Sequence, residues 1–484
     1  MTTLPSKSLP VPSTEDRHLL SRFSFGVTPD LVADADAAGG ARAWFDEQLD
    51  DPPPDGAAED MADWWPHLWW SAEDLADADN GGDISSHEVQ SDFARWTLLR
   101  RIYSKRQVLE VMADMWSNLL HVPAPLSKSF PHRMSYDTAI RDNALGRFDD
   151  LLIAADLHPA MLCYLDNARS SAEAPNENLG RELLELHTVG SESGFTEDDV
   201  HDSTMILTGW MVDMFQTWEP YYSPEDHYVG RVTVMDFTDK NDSTDGEKLT
   251  EDYLRWLAQH ESTADRVCRR LAVRFVSDDP SDGLVSDLAK VFVDSGTDIK
   301  ETLRALVDHP EFEAAVGLKV RTPSEDTVNT YRVTGVEIDP PEGVTGEASE
   351  AILGLSEDMG QRPFDWERPD GFPDVADAWS SASRVLGSWK VHRNAAVGNF
   401  PQIGITYLPT EEWLPDLPAP FSTVVDHVSR RILAREASDA IIDAAATAAD
   451  ASPDEEVTSD SGVVLHRFAQ VITAVLDTPE HMTR

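Results

Sequence analysis

Apolar positions recur every three to four residues over most of the chain, and short polar or Pro/Gly-rich breaks divide them. That period predicts amphipathic helices, and the breaks predict many short ones. Ser13-Thr14-Glu15-Asp16 opens the first helix, with His18, Leu19, Leu20 and Phe23 behind it. Thr28-Pro29 starts a second that is expected to run on through Trp44 and Leu49. Residues 87–120 read as one long helical stretch or two, and periodicity from about residue 250 runs to Phe312. One segment differs: RVTVMDFT alternates apolar and polar between Gly230 and Asp245-Gly246, which predicts a small β-hairpin inside 221–250.

Three stretches share a pattern: AADLHPAML (154–162), ALVDHPEF (305–312) and AVLDTPEH (474–481). Each is an apolar helix end, then Asp, one or two positions and Pro, which reads as one helix stopping and another starting. The expected fold is therefore mainly α, packed helix pairs in a large helical domain with a small β-hairpin excursion. Residues 1–13 hold three prolines and little that packs, so they are expected to be a disordered tail. Residues 14–320 are expected to form the helical core domain. Residues 321–484 are expected to form a C-terminal helical region packed on it. The polar runs 76–85 and 321–350 read as loop and connection. GQRPFDWERPDGFPDVADAW (360–379) cannot be one helix, and its aromatics favour an ordered loop.

Charge changes what the surface can do. Thirty-nine Lys+Arg face 88 Asp+Glu, a net charge of −49. Such a surface repels nucleic acid and anionic lipid, whose binding needs cations, and it keeps a protein hydrated, in high salt as well. No apolar run reaches a membrane span and no basic-then-apolar leader opens the chain, so a cytoplasmic location is expected. Cys163 and Cys268 lie in apolar helical contexts and read as small core residues. WWPHLWW (64–70) reads as core, interface or a carbohydrate-facing wall.

The candidate chemistry gathers in PNENLGRELLELHTVG (175–190). At 100° per residue Leu179, Leu183 and Leu186 form one buried stripe, Glu177 and Arg181 pair in solvent, and Gly190 ends the helix. Glu182 and Glu185 share a flank, with His187 on the other. Two neighbouring carboxylates raise each other's pKa unless a metal ion, an arginine or a shared proton relieves them. Arg141 and Arg147 are possible arginine donors. Downstream, Thr196 and Asp199 in GFTEDDV have capping-box spacing.

NENLGRELLELHTVG followed by GFTEDDV and LTGW resembles the signature of the bacterial family called domain of unknown function 1800. HLLSRFSFGVTP (18–29), LGRFDDLL and HPAMLCYLDNARS (145–170), STADRVCRRLAVRFVSDDP (262–280), DIKETLRALVDHPEF (298–312) and PDGFPDVADAW (369–379) match in order. The resemblance implies a mostly helical protein, with no established reaction. It also implies gene pairing with an alkaline-phosphatase-like family whose members often carry an export signal, so co-export with such a partner is one fate. The signature positions Asn176, Glu177, Asn178, Arg181, Glu182, Glu185, His187 and Gly190 are present, and His158, Asp166, Asn167 and His227 match flanking segments. The chain departs from the pattern at Asn118-Leu119-Leu120 and at Asn143, where relatives carry histidines.

Two functions follow as expectations. In the first, an enzyme uses Glu182, Glu185, Arg181 and His187 as catalytic groups on a small polar substrate. A divalent metal ion on Glu182, Glu185, His187, His158 and His227 is an option there. In the second, the chain is a non-catalytic partner or export companion of a phosphatase-like protein.

Overall fold

The computed structural model describes residues 9–484. It is 59% helical with 25 helices and only two-stranded antiparallel sheets. Of the expected tail, 1–8 lie outside the described residues, while the Leu9 carbonyl accepts from Arg430 Nη1 at 3.4 Å.

Local chemistry sets most helix ends. Ser13 caps Thr14–Arg22, and Thr28 caps Pro29–Ala38. The second helix does not run on to Leu49. It stops where Gly39 and Gly40 both take positive φ, and Ala41–Asp50 starts anew. Residues 76–85 are not all loop. Ser71 caps a helix Ala72–Gly81 that buries Leu75, Ala76 and Ala78 and leaves most of its acidic residues outside. The stretch 87–120 is two helices, Ser86–Tyr103 and Gln107–Leu119. The Asp-to-Pro repeat marks three helix-to-helix turns. The residue before each proline caps the new helix through its own side chain: His158 to Ala160 N, His309 to Glu311 N, and Thr478 to His481 N. The expected hairpin is present, with Val232 opposite Asp239 and Val234 opposite Phe237.

The main apolar core runs from Leu19 through Ala434, and a smaller one gathers Trp413, Phe421, Val428, Val471 and Val475. One helix, Pro323–Thr334, touches both: Val328 and Tyr331 join the first, Val333 the second. The sequence PSEDTVNTYRVT is polar on every face and reads as a connection, yet eleven of its residues are buried. Two features explain this. Pro323 at N1 and a Thr322/Glu325 capping box start the helix. Distant arginines then neutralise its acids. Arg274 reaches Glu325 at 2.8 Å, Asp374 at 3.4 Å and Asp114 at 3.3 Å. Arg484 reaches Glu325 at 2.8 Å and Asp374 at 3.3 Å.

The loop at 361–375 is ordered against this network. Phe364 and Phe372 are buried in it. Asn118 exchanges two hydrogen bonds with Phe372, at 2.8 and 2.7 Å, and His121 Nε2 meets the Trp366 carbonyl at 2.8 Å. Gly371 has φ +69°, and a Cβ there would stand 2.1 Å from the Asn118 carbonyl oxygen, so only glycine fits.

Candidate functional site

The signature segment folds as an α-helix Asn178–Glu182 that passes into a π-turn over Leu183–His187. Asn176 Oδ1 accepts from Asn178 N at 3.0 Å, and the Gly190 N–H reaches back to the Leu184 carbonyl at 2.8 Å. The π-turn rotates less per residue than an α-helix, so a uniform 100° reading fails beyond Glu182. Leu186 leaves the stripe and becomes half-buried, while Leu184 is buried. His187 leaves its flank and enters the core, with no exposed surface.

There His187 Nδ1 meets Asp156 Oδ1 at 2.7 Å, and both side chains are fully buried. Among the described residues nothing hydrogen-bonds His187 Nε2 or Asp156 Oδ2. The helix is pressed against Glu197–Leu207 at Gly180, where a Cβ would lie 2.4 Å from Thr204 Oγ1 and 2.9 Å from its amide nitrogen. Gly180→Ala is therefore expected to force the two helices apart and cost about 1–3 kcal/mol of stability. A denaturant midpoint that does not fall would contradict the packing described.

Arg181 pairs with Glu177 at 3.6 Å, as the spacing predicts, but grips Glu197 harder, with nitrogens at 3.0 and 2.6 Å from its two oxygens. It ties the signature helix to the next one, whose Thr196/Asp199 capping box is complete. Glu182 is left half-buried, and among the described residues no lysine or arginine forms an ion pair with it or with Glu185. Burial raises the Glu182 pKa, and Glu185 and Asp370 push the same way against His187 and Arg181. Arg141 and Arg147, the two possible donors, are engaged elsewhere: Arg141 with Glu110 and Asp137, Arg147 with Asp149.

The remaining candidates stand apart from this helix. His158 caps its helix through Nδ1 and packs edge-on to Tyr136, and burial beside His132 and Arg133 lowers its pKa to about 3. His227 is held at both nitrogens, with Nδ1 2.9 Å from the Thr208 carbonyl and Nε2 3.0 Å from Asn241 Oδ1.

On the other side of the 361–375 loop lies a cavity of about 60 Å³, lined by Arg101, Asp114, Asn118, Arg270, Arg274 and Asp374 among others. Arg266, Arg270 and Arg274 stand four residues apart on Glu261–Phe275 and link the two regions. Arg266 Nε donates to the Leu186 carbonyl at 3.1 Å, Arg270 to the Asp370 carbonyl at 3.4 Å, and Arg274 enters the buried network.

Sequence reasoning missed a further cluster. Among the described residues, Asp326, His392 and His481 are the one trio of histidine, cysteine or carboxylate side chains whose ligand atoms all lie within 4.8 Å. All three are buried. Burial opposes charge on His392, but Asp326 and Asp477 outweigh it and lift its pKa to about 9. Burial opposes charge on Asp326 too, yet His392 and Arg384 hold it well below the usual carboxylate range. The residues lie up to 155 positions apart, so no spacing rule could join them. The only local trace is His481 inside the third Asp-to-Pro unit.

Cys163 and Cys268 are free and buried. No helix of the described chain is long and apolar enough to cross a membrane. No curated protein and no solved structure is matched by the chain. A family model described as a protein of unknown function (DUF1800) matches residues 18–483. With that match over nearly the whole chain, and with the helical signature segment at its centre, the chain belongs to the DUF1800 family.

Proposed function

We propose that the chain is an acid–base enzyme acting on a small polar substrate, with Glu182 as the group that exchanges the proton. One observation carries the reading. Glu182 is a half-buried carboxyl with a raised pKa and, among the described residues, no ion-paired lysine or arginine, on a helix whose arginine is turned away to Glu197. A carboxyl held in this way can be protonated closer to neutral pH and still reach solvent, as general acid–base work requires. The buried Asp156–His187 pair stands behind it as a positioning dyad. Asp156 fixes the ring, and the ring's field acts on Glu182. The π-turn supports the assignment, because such turns are a strained departure that recurs at functional sites.

The substrate is polar and not strongly anionic, since the field of a −49 chain repels anions. A cytoplasmic location fits the same reading. A second reading keeps the chain as a non-catalytic companion of a phosphatase-like protein. It is favoured by Trp69 and Trp70, which are 49% and 47% exposed on an otherwise acidic surface.

The test is a turnover screen over uncharged and cationic esters, amides and glycosides, run beside Glu182→Gln. The expected result is one substrate class turned over by the native chain, with kcat reduced about 100-fold or more in a variant of unchanged melting behaviour. Equal turnover by both proteins would remove Glu182 from the chemistry. No turnover by either, with capture of a phosphatase-like partner, would favour the companion.

A further inference from the structure

We propose that Asp326, His392 and His481 bind one zinc-like divalent ion at a site separate from Glu182. Asp326 Oδ1 lies 3.2 Å from His392 Nε2 and 3.7 Å from His481 Nε2. Two ligand atoms at about 2.0–2.1 Å from a tetrahedral ion stand roughly 3.3–3.4 Å apart. The two imidazoles converge on one carboxylate oxygen at that spacing. Their rings are perpendicular, 86° apart with centroids at 4.9 Å, so two nitrogens are presented side by side without stacking. Two nitrogens and one oxygen make the donor set of a three-ligand zinc site, with the fourth position left for water or hydroxide.

The surroundings have the form of an outer ligand shell. His392 Nδ1 meets Asp477 Oδ1 at 2.8 Å, a carboxylate behind a ligating ring. Asn329 Nδ2 lies 3.3 Å from His481 Nδ1, and once Nε2 binds an ion the ring proton moves to Nδ1 and the amide must turn its oxygen toward it. Arg384 sits 3.6 Å from Asp326 Oδ2, at ion-pair distance, and among the described residues no donor hydrogen-bonds that oxygen. A plain buried ion triad accounts for His392 between two carboxylates. It leaves His481 Nε2 3.7 Å from the same oxygen, beyond hydrogen-bond reach, with the Thr330 hydroxyl as its partner at 3.1 Å. An ion in the gap accounts for both rings.

A route inward exists. His481 lines a cavity of about 260 Å³ together with Arg17, His18, Arg321, Arg435 and Glu480. The arginines on these walls oppose the entry of a cation, so exchange should be slow and a loaded ion should survive dialysis. Loading displaces the proton shared by His392 and Asp326, which leaves to solvent, and the Thr330 hydroxyl 3.1 Å from His481 Nε2 gives up that nitrogen.

The experiment uses the full chain, stripped with a chelator, incubated with Zn²⁺ alone, dialysed and analysed for metal. The expected result is close to one equivalent in the native chain and none in His481→Gln or His392→Gln. Asp477→Asn is expected to weaken binding about 10- to 100-fold while keeping the site. Because these side chains are buried, a variant that fails to fold is replaced by a measurement on the native chain. Co²⁺ should then give the intense visible bands of a four-coordinate ion, bleached by added Zn²⁺. A native chain that retains no zinc and leaves Co²⁺ with the weak spectrum of its hexaaqua ion would overturn the proposal. So would a folded His481→Gln variant that still holds a full equivalent.

Discussion

Replacing Arg274 with alanine is expected to destabilise the protein by about 3–5 kcal/mol, enough to abolish folding in a marginally stable chain. Arg274 is 4% exposed and contacts Glu325, Asp374 and Asp114. Removing it leaves three carboxylates around a dry space. Asp114 keeps Arg101 at 2.5 Å, Glu325 keeps Arg484 at 2.8 Å, and Asp374 keeps Lys319 at 3.5 Å and Arg484 at 3.3 Å. The remaining cations cannot cover all three as well as before. The cost comes from an uncompensated buried charge more than from the lost bonds. A second substitution follows from this. Glu325→Gln added to Arg274→Ala should recover part of the loss, because the orphaned charge is gone. Chemical denaturation of the three proteins checks it. An Arg274→Ala variant within about 1 kcal/mol of native would show that the network is ornament on a core stable without it.

Acid is expected to have an effect of similar size. Burial holds His18, His121 and His132 neutral, with pKa values lowered to about 4. In the unfolded chain each titrates near the ordinary 6.5, so below that value the unfolded state binds more protons. Stability is therefore present above about pH 6.5 and is lost as the pH falls toward 4. Between 6.5 and 5 the loss is on the order of 2 kcal/mol for each ring, or about 6 in total, before any relief through local opening. His392 does not offset it. Its pKa is raised, so its contribution is complete below 6.5 and declines only as the pH rises through about 9. The acidic surface works the other way, since protonating carboxylates relieves the repulsion of a −49 chain, but that begins nearer pH 4. Denaturant midpoints at fixed salt from pH 7 to pH 5 isolate the histidines. A midpoint that holds or rises over that interval would contradict their burial.

Much of the architecture is legible in the chain because its signals are local. Ser13, Thr28 and the Thr196/Asp199 box start helices where side-chain chemistry requires, and RVTVMDFT pairs in the register its alternation implies. The Asp-to-Pro units each mark a helix-to-helix turn, so the packed helix pairs could be read before any contact was known. What was illegible is tertiary. Pro323–Thr334 looks like a surface connection until Arg274 and Arg484 arrive from elsewhere to neutralise it. Its capping box was visible, but a polar helix gives no sign that it will be buried. Within the signature helix the departure is a single π-turn. Glu182, before the turn, sits where uniform periodicity places it. His187 and Leu186, inside it, exchange core and flank. Asp326, His392 and His481 meet only through packing, and each alone looks ordinary.

Glutamate labelled with ¹³C at the carboxyl carbon tests the central claim without needing a substrate. Glu182→Gln identifies the resonance in the native chain, and a pH titration follows it. The account predicts a Glu182 pKa above the ordinary glutamate value, lowered by Glu185→Gln because one of its causes is then removed. A Glu182 resonance that titrates at or below the ordinary value, unmoved by the change at Glu185, would mean a partnered structural carboxylate and would contradict the acid–base reading.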